Sequence, residues 1–122
     1  MSSQMYRELI LEHYKHPQNY GVLNPCDVTY TKSNPLCGDE ITVYLRIEDS
    51  RIQGIHFTGK GCAISIASAS LFSEKVKGLL IEEVLALDEN AVVEELCMDV
   101  NPARMKCATL ILSAIKQAVI KQ

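Results

Sequence analysis

The stretch "EITVYLRIEDSRIQGIHFT", residues 40–58, carries the clearest structural signal in the chain. Over residues 40–48 apolar and polar side chains alternate, and the apolar ones are Ile41, Val43, Leu45 and Ile47. A period of two is typical of a strand with one buried face. A turn at Asp49 and Ser50 then brings residues 51–58 back as a second strand. The pattern predicts an antiparallel hairpin.

The segment before this hairpin adds a helix and a strand. Residues 4–15 place apolar side chains on a helical stripe, and Pro17 ends the helix. The turn-rich "HPQNYGVLNP" follows, and "DVTYT", residues 27–31, is a short strand. The sequence therefore predicts a meander of three antiparallel strands.

After residue 58 the pattern becomes helical. The predicted helices cover residues 62–77, 80–87, 89–96 and 102–120. Gly78 stops the first of them, Asp88 is placed to cap the third, and Asn101-Pro102 combines a capping residue with proline at the first helical position. Because strands and helices are segregated along the chain, we expect an α+β fold of two layers, with one domain over residues 1–122.

The composition excludes several classes of protein. Hydrophobic residues make up 48% of the 122 residues, and the formal net charge is −3. A mildly acidic chain lacks the basic face that binding to nucleic-acid phosphates needs, so we expect no nucleic-acid partner. The sequence contains no run of 18 apolar residues, so we expect no membrane span. The N-terminal residues lack the order of basic, apolar and small residues that is typical of a signal peptide. A reducing, cytoplasmic location is expected.

The chain contains five cysteines: Cys26, Cys37, Cys62, Cys97 and Cys107. An odd number without an export signal argues against a disulfide framework. In a reducing compartment, such a number indicates metal binding, thiol chemistry or small core residues.

Four of the candidate site residues lie at boundaries of predicted elements. Cys37 and Asp39 occupy the turn "NPLCGDEI", residues 34–41, which enters the long strand. Cys62 follows "TGKG" and opens a helix, and Cys107 lies in the second turn of the last helix. A two-layer fold can gather such boundaries from distant parts of the chain, so these side chains are candidates for one shared site.

The residue types suit a metal. Thiolate is the form that ligates, and a helix N-terminus such as that at Cys62 favours it. Three thiolates and one carboxylate close a tetrahedral zinc site, and thiolates also anchor iron–sulfur clusters. A carboxylate ligand exchanges more easily than a thiolate and suits a site that releases its contents. Gly59 and Gly61 would let the backbone approach the bound group.

Simpler interpretations stay open for each residue. Cys37 could pack in its turn, Cys62 against its small-residue helix, and Cys107 in the core beside Leu110, Ile111 and Ala114. Asp39 could merely cap a turn. None of the spacings is a CxxC zinc-ribbon pattern.

The remaining cysteines and the histidines give weaker signals. Cys26 and Cys97 are interpreted as structural. His13 and His16 stand three apart on a helix and could share a metal, but a solvated helix end is the preferred interpretation. His56 lies in a strand without a local indication of a role. The motifs of serine hydrolases, P-loops, dinucleotide-binding proteins and zinc proteases are absent from the sequence.

Four segments in order, "YRELILEHYKHPQNYG", "NPLCGDEITVYL", "GKGCAISIASAS" and "ARMKCATL", carry a specific resemblance. They resemble the U-type iron–sulfur cluster assembly scaffolds, the family of IscU, SufU and the N-terminal domain of NifU. The resemblance implies a three-stranded antiparallel sheet packed against helices. It also implies a site built from Cys37, Asp39, Cys62 and Cys107.

The same resemblance implies a function. A pyridoxal-phosphate cysteine desulfurase would pass persulfide sulfur to a cysteine here, a [2Fe–2S] cluster would form, and apo-proteins or carriers would receive it. Cys107 is the expected sulfur acceptor in scaffold chemistry. In the zinc-dependent sulfurtransferase branch Cys37 is the acceptor and Zn²⁺ occupies the site. The scaffold would not be an enzyme, whereas the sulfurtransferase would be.

Two departures from the family pattern bear on the partners. The IscU type has His directly before the last cysteine and a Leu-Pro-Pro-Val-Lys segment that docks a chaperone. This chain has Lys106 and "VNPARMK" instead, which argues against a dedicated Hsp70-type chaperone. A lysine before the last cysteine is similar to SufU proteins. SufU proteins, however, carry an insertion between the last two ligand cysteines, and the 45 positions from Cys62 to Cys107 lack it. Scaffold, zinc-dependent sulfurtransferase and metal-free interaction domain are the three functional hypotheses.

Overall fold

The computed structural model describes residues 3–35, 38–96 and 102–121. Its elements are α1 (Ser3–Lys15), β1 (Val28–Asn34), β2 (Asp39–Glu48), β3 (Arg51–Lys60), α2 (Ala63–Val76), α3 (Ile81–Ala86), α4 (Glu89–Leu96) and α5 (Pro102–Lys121). Every predicted element is present, in the predicted order. The predictions for Cys37, Cys97 and Asn101 fall outside the described residues.

The three strands form one antiparallel sheet in the order β1-β2-β3. The alternation in β2 is confirmed, because Ile41, Val43 and Leu45 are fully buried. Ile47, near the end of β2, is half-buried and still packs against the core. The pairing of β2 with β3 is irregular here, because Gln53 is an extra residue in β3 between the partners of Arg46 and Ile47.

Two strands are longer than predicted. β1 continues to Asn34, which pairs with Asp39, and β3 continues to Lys60, which pairs with Glu40. These additional residues extend the β1–β2 and β2–β3 pairings toward one end of the strands. The end of β1, the start of β2 and the end of β3 therefore meet at one end of the domain.

The helices cover one face of the sheet and form the second layer. α5 packs on β1 and β2, α2 packs on β3, and α1 lies against α2. The largest fully buried side chains between the layers are Phe57, Phe72, Ile41, Leu45, Ile52, Ile55, Leu96, Ile111 and Ile115. Burial of these apolar surfaces is the main stabilising contribution, and it confirms the predicted two-layer α+β fold.

The small residues of α2 have a structural reason. The helix is enclosed by its neighbours, and its serines bond the segment that follows α1. Ser70 Oγ lies 2.7 Å from His13 Nδ1 and accepts the Gln18 N–H at 2.7 Å. Asn19 donates to Ser73 Oγ at 2.8 Å. The small side chains of α2 let the segment around residues 13–19 approach the helix closely. The serine hydroxyls form hydrogen bonds with polar groups that burial removes from water.

Two helix-end signals are confirmed. Asp88 Oδ1 accepts the N–H groups of Asn90 at 3.1 Å and Ala91 at 3.4 Å, as an N-cap does. Gly78 follows the end of α2 with a φ of 83°, a conformation that favours glycine. Within the described residues, none of the helices combines the length and apolar character that crossing a membrane requires.

Candidate functional site

The fold brings together three of the four predicted site residues. One ligand atom each from Asp39, Cys62 and Cys107 lies within 4.8 Å of the other two. Asp39 begins β2, Cys62 directly precedes α2, and Cys107 lies in the second turn of α5. The fourth predicted residue, Cys37, lies outside the described residues. The described part of the site therefore draws on three elements that are distant in sequence.

Asp39 is the buried centre of this group. Its side chain is 2% exposed. Oδ1 accepts the backbone N–H of Cys62 at 3.0 Å, and Oδ2 lies 3.8 Å from Cys62 Sγ. Cys62 is the N-cap residue of α2 and makes no capping bond with its own side chain. From the start of β2, Asp39 thus places its carboxylate at the positive end of α2 and accepts the backbone N–H of Cys62 there.

The two oxygens of Asp39 have different surroundings. Oδ1 is engaged by the backbone at the start of α2, whereas Oδ2 faces the thiol of Cys62. The simpler hypothesis, that Asp39 caps a turn, describes only Oδ1. Because one carboxylate oxygen suffices as a metal ligand, capping and ligation are compatible in this geometry.

Gly61 makes room for that carboxylate. A Cβ at position 61 would lie 2.6 Å from Asp39 Oδ1 and in contact with Ser65 Oγ. Real Cβ atoms do not approach neighbouring atoms so closely, so a larger residue would displace Asp39 or Ser65. The sequence predicted that this glycine lets the backbone approach a bound group. In the described structure it instead makes room for the side chain of Asp39, which is itself a candidate ligand.

Ser65 is a site-forming residue that the sequence did not reveal. It is fully buried and donates from Oγ to the Cys62 carbonyl at 3.2 Å. This bond ties the first turn of α2 to the residue that carries the thiol. Ser65 is one of several serines in a small-residue helix, and nothing in the sequence distinguishes it from the others.

Gly38 supports the turn that carries the other predicted donor. Its φ of 74° lies in the left-handed region, where glycine is favoured. Its N–H donates to the Asn34 carbonyl at 2.9 Å and closes the β1–β2 hairpin. The left-handed conformation of Gly38 lets the chain turn at this point, and Asp39 begins the strand that follows.

Cys107 joins the group from α5, in the helical layer. It is 2% exposed, and its helical neighbours Ile111 and Ala114 are fully buried. The interpretation of Cys107 as a residue of the hydrophobic core is therefore right about its burial. It is incomplete, because the thiol also lies beside Asp39 and Cys62, at the edge of the core. The side chain of Lys106 is exposed.

The donor set fits a metal by type and spacing. Around one tetrahedral zinc, ligand atoms are about 3.7 Å apart, given zinc–sulfur distances of about 2.3 Å. The 3.8 Å between Cys62 Sγ and Asp39 Oδ2 matches this spacing. Cys62 is half-buried, whereas Asp39 and Cys107 are buried. Two of the three potential donors are thus buried, and the third is partly accessible.

The other candidates lie elsewhere. Among the described residues, no second group of three potential ligands is close enough to hold one ion. His13 bonds Ser70, and His16 is exposed at the end of α1. Cys26 is half-buried in the loop before β1, away from the group. His56 lies on the sheet face opposite the helices.

Replacing Gly61 by Ala is expected to destabilise the protein by about 1–3 kcal/mol, because the new methyl group overpacks the contact with Asp39 and Ser65. We also expect metal affinity to fall about tenfold, as it does when groups that orient a ligand are disturbed. Thermal unfolding and competition with a chelator measure the two effects. Gly54→Ala is the matched control, since its Cβ would meet only ordinary contacts at 3.5 Å or more. Equal behaviour of the two variants would contradict the assigned role of Gly61.

Comparisons with known proteins agree on one family. The model of the NifU-like N-terminal domain matches residues 5–122. The iron–sulfur cluster assembly scaffold protein IscU 1 of Archaeoglobus fulgidus is 36% identical over 116 residues, covering 95% of this chain and 75% of the relative. The zinc-dependent sulfurtransferase SufU of Bacillus subtilis is 33% identical over 135 positions, covering 97% and 91%.

The fold comparison gives the same result. The crystal structure of the N-terminal part of a nitrogen-fixing NifU-like protein from Brucella abortus superimposes with a TM-score of 0.79 at 25% identity, covering 98% of this chain and 94% of that one. The alignment with the Bacillus protein is longer than the 122 residues of this chain, so that relative contains additional residues. The alignment with the Archaeoglobus protein is shorter. The chain belongs to the family of NifU-like N-terminal domains.

Proposed function

We propose that this protein is a scaffold for iron–sulfur cluster assembly, acting as one domain over residues 1–122. It receives sulfur from a pyridoxal-phosphate cysteine desulfurase, assembles a [2Fe–2S] cluster, and transfers the cluster to apo-proteins or carriers. Cys37, Asp39, Cys62 and Cys107 hold the cluster. The chemistry needs reduced thiols, which fits a cytoplasmic location.

The observation that carries this proposal is the convergence of Asp39, Cys62 and Cys107 at one end of the domain. Thiolates bind iron strongly, whereas a carboxylate oxygen is a harder and more exchangeable ligand. A site with mixed ligands of this kind can hold a cluster and still release it. The half-buried position of Cys62 gives incoming iron and sulfur a route to the buried donors.

Sulfur transfer to Cys107 follows ordinary thiol chemistry. The thiolate attacks the outer sulfur of the desulfurase persulfide, a new S–S bond forms, and the desulfurase leaves as a thiolate. For each sulfur, one electron from an Fe²⁺ ion and one from an external reductant, either a thiol or an electron carrier, then cleave the S–S bond and release sulfide. The two sulfides and the two resulting Fe³⁺ ions combine at the four ligands. The proposal includes no dedicated Hsp70-type chaperone, because "VNPARMK" lacks the docking segment.

A zinc-dependent sulfurtransferase is the second candidate. The relative from Bacillus subtilis has that name. Lys106 directly precedes Cys107, the feature that the resemblance noted above links to SufU proteins. In this alternative the site holds Zn²⁺ and Cys37 accepts the persulfide sulfur, which accelerates the desulfurase. The absence of the SufU insertion between Cys62 and Cys107 favours the scaffold.

Elemental analysis of anaerobically purified protein separates the candidates. For a scaffold, we expect iron and acid-labile sulfide in equal amounts after incubation with iron, cysteine and a desulfurase, and little stimulation of the desulfurase. A tightly held zinc, with strong stimulation that a chelator abolishes, would instead establish the sulfurtransferase. A protein that binds neither metal would contradict both proposals and support a metal-free interaction domain.

A further inference from the structure

A cavity lies beside the proposed metal site and is separate from it. It has a volume of about 260 Å³ and lies between β1 and α5. Its lining residues are Lys32, Ser33, Asn34, Pro35, Lys106, Thr109, Leu110 and Ser113. Two lysines, three hydroxyl groups and one amide make this lining polar and positively charged. None of the described residues that line it is acidic, although the chain as a whole has a net charge of −3.

The two lysines lack a counter-charge in the described part of the chain. Lys75 and Lys77 pair with glutamates at 3.2 and 3.1 Å. No ion pair joins Lys32 or Lys106 to a described acidic side chain, and Lys32 is half-buried. Two ammonium groups that line one cavity repel each other, and water screens the charge of half-buried Lys32 less than that of exposed Lys106. A negatively charged ligand between them would remove this repulsion.

The size and lining of the cavity limit what can bind. A volume of about 260 Å³ lies just below the usual range for ligand pockets, so it suits a molecule of a few carbon atoms. Two cations on opposite walls, β1 and α5, match two separate negative charges. The hydroxyls of Ser33, Thr109 and Ser113 can bond the oxygens of the ligand. Leu110 offers a small apolar contact for a short carbon chain.

We propose that this cavity binds a small dicarboxylate, with one carboxylate at Lys32 and the other at Lys106. The site is distinct from the thiol group, because α5 contributes Lys106, Thr109, Leu110 and Ser113 to the lining whereas Cys107 is not part of it. The inference does not require the chain to carry a cluster.

Binding of succinate to metal-free, dialysed protein tests the proposal. We expect saturable shifts of backbone amide resonances at residues 32–34 and 106–113 in NMR spectra. Succinamide has the same carbon chain without the charges and is expected to cause none. Lys32→Gln and Lys106→Gln should each weaken succinate binding about tenfold, as the loss of a charge-assisted hydrogen bond does. Lys116→Gln removes the same charge from α5 outside the lining and should leave the affinity unchanged.

Several results would overturn this proposal. Equal shifts with succinate and succinamide would show that charge is not recognised. Unchanged affinity in both lysine variants would place the ligand elsewhere. If inorganic phosphate binds the same residues as tightly as succinate, the cavity is a general anion site and the dicarboxylate assignment is wrong. Because the protein is free of metal, none of these outcomes depends on the function of the thiol group.

Discussion

Replacing Cys107 by Ser is expected to abolish stable cluster assembly. The hydroxyl of serine is a far poorer ligand for iron and zinc than a thiolate, and Cys107 supplies one of three described ligand atoms that lie within 4.8 Å of one another. Disturbing the groups around a metal ligand already costs 10–100-fold in affinity, so we expect losing a ligand to cost more than about 100-fold. Visible absorption after anaerobic reconstitution measures the cluster, and a competing chelator measures zinc affinity.

Cys26→Ser is the control for this experiment. It makes the same chemical change at a half-buried cysteine outside the group, so reconstitution should match wild type. Cys37→Ser and Cys62→Ser are expected to behave like Cys107→Ser. If all three variants reconstitute as well as wild type does, the assignment of the site is wrong.

Replacing Asp39 by Ala should slow cluster release about tenfold while also lowering stability. The slower release follows because the exchangeable ligand that opens the site is missing, and tenfold corresponds to about 1.4 kcal/mol in activation free energy. The loss of stability, about 1 kcal/mol, follows because the Cys62 N–H loses its acceptor at the start of α2. Transfer to an apo-protein, followed spectroscopically, measures the first effect, and chemical denaturation measures the second.

Asp39→Asn separates the two roles of this side chain. The amide oxygen can still accept the Cys62 N–H, so stability should return toward that of wild type. The neutral amide is a poor metal ligand, so transfer should stay slow. Wild-type transfer kinetics in the Asn variant would contradict ligation by Asp39 and leave it only the capping role.

Most of the fold could be predicted because local patterns and packing agree. The alternation of Ile41, Val43 and Leu45 fixes the buried face of β2, and Asp88 signals the start of α4 by a bond within its own turn. Strand ends were harder to predict. The pairing of Asn34 with Asp39 and of Lys60 with Glu40 depends on neighbouring strands rather than on local propensity.

The site was predictable in its residue types and not in its internal bonding. Asp39, Cys62 and Cys107 could be selected because thiols and a carboxylate stand at element boundaries, and the family resemblance adds specificity. The bond from Cys62 N–H to Asp39 joins residues 23 positions apart, and Gly61 and Ser65 matter through contacts that exist only in the folded chain. No local pattern encodes these contacts.

The most direct test of the scaffold proposal is the iron and sulfide content of the wild-type protein after anaerobic reconstitution with iron, cysteine and a desulfurase, combined with its visible spectrum. We expect iron and acid-labile sulfide in equal amounts, with the absorption of a [2Fe–2S] centre that is lost on transfer to an apo-protein. A folded protein that retains neither iron nor sulfide would contradict the scaffold proposal.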